Sequence, residues 1–447
     1  EDLAQARQAW AWVSTQADVA LLRAYVEHLR PQLDRRGLSH ESLAWAKRDL
    51  SAARTLGDDT EELFSLLNMG AAYEQVGLPQ EAIASYLEAL PLATGEVNHR
   101  ARGVILGRLG SAYQIIGDYE RAKEYFSQAL AHAQELQHGT SETVWASILG
   151  HTQTRVGDTS QAIQLYEASL ARARALGDHR REASAWRDLA DAHTLVGSLA
   201  EAQHAFEKAL SVSCATQDPA GEAEALVGLA TVAVRSGEEQ VQHTYHERML
   251  AALPRITGVR EQVQFLGGAG LRYGDVQSWR SALDLHERQL VLARQIADPR
   301  EEGLALAYKG QALHALGQLA EAEQAWEAAV VLLQTVGDKH IEGRTFLGLA
   351  RLYEGWNRRD DARRYYERVR EMAGTLGDQW LLRELDSDGA QHVAAFVPAK
   401  IEAMVSDALH KDLDPKPLPV RLPTGKGKDV DSIKLSVGSS APDTPNL

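Results

Sequence analysis

The sequence predicts an all-α protein, a right-handed solenoid of stacked antiparallel helix pairs, and three observations carry that prediction. A small residue recurs every forty residues, at Gly70, Gly110, Gly150, Ala190, Ala230, Gly270, Gly310 and Ala350, with no insertion or deletion between them. A fixed period of this length marks one supersecondary unit stacked on copies of itself. Each period holds two apolar stripes at three- and four-residue spacing, the signature of two amphipathic helices. Aromatic residues make up only 6% of the chain and the prolines crowd toward its end, which opposes a β-rich fold.

Residues 97–137 display the unit most clearly. Leu106, Leu109, Gly110, Tyr113 and Ile116 form the stripe of a first helix, and Ala122, Phe126, Ala129, Leu130 and Ala133 that of a second. Between them Gly117 suits the left-handed end of one helix and Asp118 the N-cap of the next. The same punctuation closes units at Gly57-Asp58, Gly177-Asp178, Gly337-Asp338 and Gly377-Asp378, and Asp18, Asp218 and Asp298 keep the register without the glycine. These carboxylates read as caps for the free amides and dipole of a helix start, not as catalytic groups. Alanines at 82, 122, 162, 202, 282, 322 and 362 let paired helices approach. Tyr86, Phe126, Tyr166, Phe206, His246, His286, Trp326 and Tyr366 share one slot beyond them, an arrangement that packing alone explains.

In order along the chain, residues 1–18 read as a partial repeat helix and 19–378 as nine helix pairs, the first of them degenerate. Residues 379–411 are helices that cover the apolar end of the stack. Residues 412–447 hold six of the thirteen prolines with glycines and serines and no helical stripe, and are expected to be extended or disordered, a plain tail rather than a segment folded back along the solenoid. The weakest units lie at 231–275, where Gly267, Gly268, Gly270 and Gly274 fall inside one first helix. Tight helix contact in a drifting repeat is the favoured reading there, and a hinge or a close approach of ligand backbone the other.

Leu109-Gly110-x-x-Tyr113, Gly117-Asp118-Tyr119 and Ala122-x-x-x-Phe126-x-x-Ala129-Leu130 together resemble the tetratricopeptide repeat. At forty residues the unit is longer than that repeat's usual 34, and is similar to the long-helix variety of Leu-Gly-Asn-repeat scaffolds, rapsyn and bacterial signalling proteins. The resemblance spans residues 1–395. It implies a superhelix whose first helices line a concave groove for a peptide or protein segment.

With that register, a candidate groove contains Asn68, Glu74, Arg108, Gln114, His151, Arg155, Arg187, Asp188, Asp191, Arg235, Tyr308, Gln311, His314, Arg344 and Arg351. Two readings of the arginines stand side by side: they receive an acidic or carboxylate-bearing peptide, or they pair with Asp188, Asp191 and neighbouring glutamates across adjacent helices. The lysine of the chaperone-binding carboxylate clamp is not reproduced, because Leu67, Gly107 and Ser147 stand where it would fall.

Chemistry is hard to find. TGKGKD at 424–429 lacks the spacing of a phosphate loop, no His-Glu-x-x-His occurs, and no serine nucleophile elbow occurs. His243 and His246 have no second ligand pair facing them, and GGAG at 267–270 sits inside helix, unlike a dinucleotide loop. No cofactor, metal or enzymatic activity is expected. A net charge of -15 opposes nucleic acid as a partner, and no apolar run is long enough to span a membrane. The lone Cys214 excludes an internal disulfide and reads as a small core residue. Glu1 stands where a methionine would, so the start is read as processed or trimmed and localisation is not read from it; a cytoplasmic location is a separate expectation. Self-association through an end of the stack is a further expectation, and the alternative role is the sensor arm of a larger signalling protein.

Overall fold

The computed structural model describes residues 2–386 except 16–18, 36–37, 96–97 and 377–378. The expectations for Asp18, Gly377, Asp378, most of the end-covering helices and the tail therefore lie outside the described residues.

Among the described residues the chain is α-helix and short turns, with no strand. An opening helix α1 (Asp2–Val13) precedes α2 (Val19–Arg35) and α3 (Ser39–Leu56). Eight pairs follow: α4 (Asp59–Val76) with α5 (Pro79–Ala89), α6 (His99–Ile115) with α7 (Tyr119–Glu135), and α8 (Gly139–Val156) with α9 (Thr159–Leu176). Then come α10 (His179–Leu195) with α11 (Leu199–Ala215), α12 (Pro219–Arg235) with α13 (Glu239–Ala252), and α14 (Val259–Asp275) with α15 (Trp279–Gln295). The last are α16 (Pro299–Ala315) with α17 (Leu319–Val336) and α18 (Lys339–Gly355) with α19 (Arg359–Leu376), before α20 (Gln379–Asp386).

The helix ends follow from the punctuation. Asp58, Asp118, Asp158, Asp178, Asp218, Asp298 and Asp338 each accept a hydrogen bond from backbone N–H groups of the turn they open. Gly57, Gly117, Gly177 and Gly337 take positive φ, which an L side chain resists. Where the glycine is missing the backbone keeps the same shape: Gln137, Gln217, Gln277, Ala297 and Asn357 hold φ of 52 to 58°.

The core lies between the two helix layers as a series of buried clusters along the stack. Tyr86, Phe126, Tyr166 and Phe206 are buried, and so are His246, His286 and Trp326 in the same slot. The opening glycines exist because of these rings. A Cβ at Gly150 would lie 2.5 Å from the Tyr166 ring, and one at Gly110 2.6 Å from Phe126. Phe206 leans instead onto Gly228 of the next unit, which leaves room for alanine at 190. Packing also accounts for most of the glycines in α14. Cβ atoms at Gly267 and Gly270 would strike Gln289 and His286, while Gly268 meets nothing within 4 Å. The helix runs through all four without a break.

Cys214 corrects the sequence reading: it is exposed. Ser213, beside it, takes the buried position, and the columns one unit away hold Arg174 and Pro254.

First helices pack on their own partners and, from α8 to α18, also on the first helix of the next unit, as in α8 on α10, α10 on α12 and α12 on α14. The first helices thus form the tighter, inner wall. The coil winds far enough for its turns to meet. A Cβ on Gly77 would come 3.9 Å from the carbonyl oxygen of Gly337, and Arg383 Nη2 lies 3.5 Å from the carbonyl oxygen of Gly117.

Candidate functional site

The groove residues named from the sequence all lie on first helices, and the structure divides them by what already holds them. Arg108 Nη1 bonds Glu74 Oε2 at 2.9 Å, across α6 and α4. Burial pushes the Glu74 carboxyl up, against the pull of Arg108. Arg187 is only 8% exposed and its Nη2 lies 2.6 Å from Glu224 Oε2, so it is part of the wall and not of the surface. Arg351 pairs with Glu384 at 2.8 Å. Gln114 Nε2 donates to Thr152 Oγ1 at 2.9 Å. For Arg108, Arg187 and Arg351 the pairing alternative is the one the structure contains. Tyr308 packs on His286 and His314 on Trp326, with ring centroids 5.5 and 5.6 Å apart. Asn68, Gln311 and Arg344 are half-buried.

A buried polar line ties α8 to α10. Ser147 Oγ donates to Asp188 Oδ2 at 2.7 Å, and Asp188 Oδ1 lies 3.3 Å from His151 Nε2. On its other side His151 Nδ1 meets Tyr166 Oη at 2.9 Å. Burial first, then the Asp188 charge, holds the Tyr166 hydroxyl well above its ordinary range. These residue types recur in hydrolases, but here the carboxylate stands between serine and imidazole. With this order the histidine does not reach the Ser147 hydroxyl as a base, and the line fixes two helices.

From α8 to α14 the wall becomes charged and crosses units. Arg272 of α14 grips Asp191 of α10 in a bidentate pair, Nη1–Oδ2 at 3.0 Å, and its guanidinium lies over the Phe206 ring at 5.6 Å. Arg155 reaches Tyr119 Oη at 3.1 Å and stacks on that ring. Arg235 is exposed and its Nη1 lies 3.4 Å from the Thr194 carbonyl oxygen. Asp275 is exposed at the end of α14, in the field of Arg272, Arg155, Arg235 and Asp191, and desolvation by the neighbouring wall pushes its carboxyl up to about 7 against the three guanidinium groups. Side chains from units two and three apart share one electrostatic neighbourhood because the inner wall is tightly curved.

Sequence reasoning missed Arg272 and Asp275. Asp275 does carry a signal: it occupies the register position of Arg155 and Arg235 with the opposite charge. Among the described residues no group of three or more His, Cys, Asp or Glu is placed to hold a metal ion, and no helix is long and apolar enough to cross a membrane.

A tetratricopeptide repeat family model matches residues 61–135, 141–215 and 303–374. The chain carries tetratricopeptide repeats. The family model leaves out 216–302, the stretch that supplies Arg235, Arg272 and Asp275 to the inner wall. No curated protein matches the sequence. Among solved structures the repeat chain is similar to BtubC (BKLC) from P. vanneervenii, at 20% identity and TM-score 0.43, covering 49% of this chain and 92% of that one. It is also similar to a putative kinesin light chain repeat protein of Podosopora anserina, at 22% identity and TM-score 0.41, covering 45% and 99%. A third is a Rap protein complexed with competence and sporulation factor, at 12% identity and TM-score 0.43, covering 81% and 99%. The tetratricopeptide-repeat fold is in general that of a protein-interaction scaffold.

Proposed function

We infer that this tetratricopeptide-repeat chain is a non-enzymatic scaffold that holds a peptide or protein segment against its inner wall between α8 and α14. One observation carries the reading: charged side chains of four first helices, α8, α10, α12 and α14, share that face, and the last two of these helices lie in the stretch that the family model leaves out. A solenoid needs apolar contacts between adjacent units to stand. It does not need guanidinium groups gathered from units two and three apart, so a ligand is the simplest use for them. Concave surfaces of this kind engage extended chain through side-chain and backbone hydrogen bonds.

Selection from a random peptide library displayed on phage tests this, with the full chain as bait. Peptides selected by the wild type are expected to be lost with Arg155→Glu plus Arg235→Glu and kept with Val291→Asp plus Val331→Asp, whose parent residues are 65% and 64% exposed on second helices. Loss with the outer pair and retention with the inner pair would overturn the assignment.

A further inference from the structure

The rings of the buried slot at Phe126, Tyr166, Phe206, His246, His286 and Trp326 also look toward the first helix of the following unit, at one register position: 148, 188, 228, 268, 308 and 348. That position is filled in one of two ways. Where it is glycine the ring itself takes the space: a Cβ on Gly228 would lie 2.2 Å from the Phe206 ring, and one on Gly348 2.9 Å from Trp326. Elsewhere a side chain does so. Ile148 is fully buried in one cluster with Phe126, and Tyr308 packs on His286 with ring centroids 5.5 Å apart. Asp188 is fully buried and accepts from Ser147 of α8 at 2.7 Å.

The pair His246 and Gly268 does neither. The imidazole is smaller than a phenyl or indole ring and is held elsewhere, Nδ1 3.1 Å from Tyr273 Oη and Nε2 3.6 Å from Asp284 Oδ2. A Cβ on Gly268 would meet nothing within 4 Å, and Gly268 is exposed. Because α12 and α14 pack on each other, the missing side chain leaves a notch between them that opens on the inner wall. Arg272, one turn further along α14, grips Asp191 and lies over Phe206, so the charged strut does not fill it. Glycine inside a helix is a weakness relative to alanine, and no neighbour requires this one. The walls of the notch offer little to a polar group. Ser147 and His151 are the α8 positions beside Asp188, and two units on they become Val227 and Thr231 of α12. The Thr231 hydroxyl donates to the Gly228 carbonyl oxygen of its own helix at 2.7 Å. A polar group entering there would give up water without replacement, whereas an aliphatic one gains by leaving water.

Resting on the scaffold reading above, we propose that the notch at Gly268, between α12 and α14, receives an aliphatic side chain of the segment bound on the inner wall. The occupant completes the packing that Phe206, Tyr308 and Trp326 complete in the neighbouring units. It also sets the register of the segment, because positions 188, 228, 308 and 348 are already filled and 268 is open.

Fluorescence anisotropy with the full chain tests the notch, the probe being a fluorescein-labelled peptide selected on the wild type from a random dodecapeptide library. Gly268→Leu fills the space from the protein side and is expected to weaken the probe about tenfold. Tyr308 shows that a first helix carries a large side chain at this register, so the variant should keep the wild-type urea midpoint or exceed it. Gly374→Leu is the control. It also places a Cβ with nothing within 4 Å, but on the second helix α19, and should leave affinity unchanged. In the probe, replacing one aliphatic residue by alanine should cost the wild type about tenfold and cost Gly268→Leu almost nothing further, since both changes address one contact. A Gly268→Leu protein that binds as tightly as wild type, or losses that add in full at every aliphatic position of the probe, overturns the proposal. If Gly268→Leu unfolds below the wild-type midpoint, Gly268→Ala decides: it should raise the midpoint and weaken the probe about threefold, and unchanged affinity overturns the proposal. A probe lost with Arg155→Glu plus Arg235→Glu but indifferent to Gly268→Leu removes the notch and leaves the scaffold standing. A library that yields no binder removes both.

Discussion

Arg272 and Asp191 join first helices two units apart, Nη1 to Oδ2 at 3.0 Å, each side chain 29% exposed. In a stack whose units pack on their immediate neighbours, a strut that skips a unit restrains curvature and not only stability. Removal of one partner strands the other in a partly desolvated place. We expect Arg272→Ala and Asp191→Ala each to lower stability, with a coupling of about 1 to 2 kcal/mol in a double-mutant cycle. Small-angle scattering should show a larger radius of gyration for either variant. A coupling near zero with unchanged scattering would mean the pair is ornamental.

Two glycines on first helices make a matched experiment. Replacing glycine by alanine inside a helix ordinarily stabilises by about 0.5 to 1 kcal/mol. Gly268→Ala, with nothing within 4 Å of the new methyl, should show that gain. Gly150→Ala puts the same methyl 2.5 Å from the buried Tyr166 ring and is expected to cost about 1 to 3 kcal/mol through overpacking. Urea unfolding of both variants checks the sign. The same sign at the two positions would refute the packing account of the forty-residue glycine.

Asp49 gives a pH dependence. It is fully buried in α3, and burial raises its carboxyl from 3.8 to about 6, with Ser65 and Arg23 pulling the other way. A carboxyl raised on folding contributes stability while protonated, below about 3.8, and that contribution is lost as pH rises through about 6. Above pH 6 the ionised form is a liability of roughly 3 kcal/mol at most. Asp49→Asn should therefore raise the urea midpoint at pH 8, with the two proteins converging near pH 4. A variant less stable than wild type at pH 8 would show that the Arg23 charge outweighs burial.

How much of this was legible in the sequence depends on whether the cause is local. The helix pairs, the Asp caps and the rings over Gly110 and Gly150 follow from spacing within one unit, and the forty-residue register places them. Cys214 was misread because its apolar flanks were weighed and its column was not: Arg174 and Pro254 on either side mark a position turned outward. The inner wall was half legible. Register placed Arg155, Asp191 and Arg235 on the first helices, yet Arg187 carries the same register logic and ends buried against Glu224. Arg272 and Asp275 were missed for a different reason. Their partners sit two and three units away, and the period says nothing of how steeply the stack bends. Curvature comes from small differences in packing angle summed over units, which no single motif records.

That bend also brings Gly77 beside Gly337 and Arg383 beside Gly117. A linear repeat array melts like beads on a string, each unit sensing only the one before and after it. Once the string curls until distant beads touch, damage near one terminus is felt near the other, and the array gains some of the all-or-none character of a globular domain. A segment lying inside such a coil is ringed by protein, so it leaves only by sliding along the axis or by waiting for the coil to spring open. Residence time is then governed by the stiffness of the winding as well as by the contacts the segment makes.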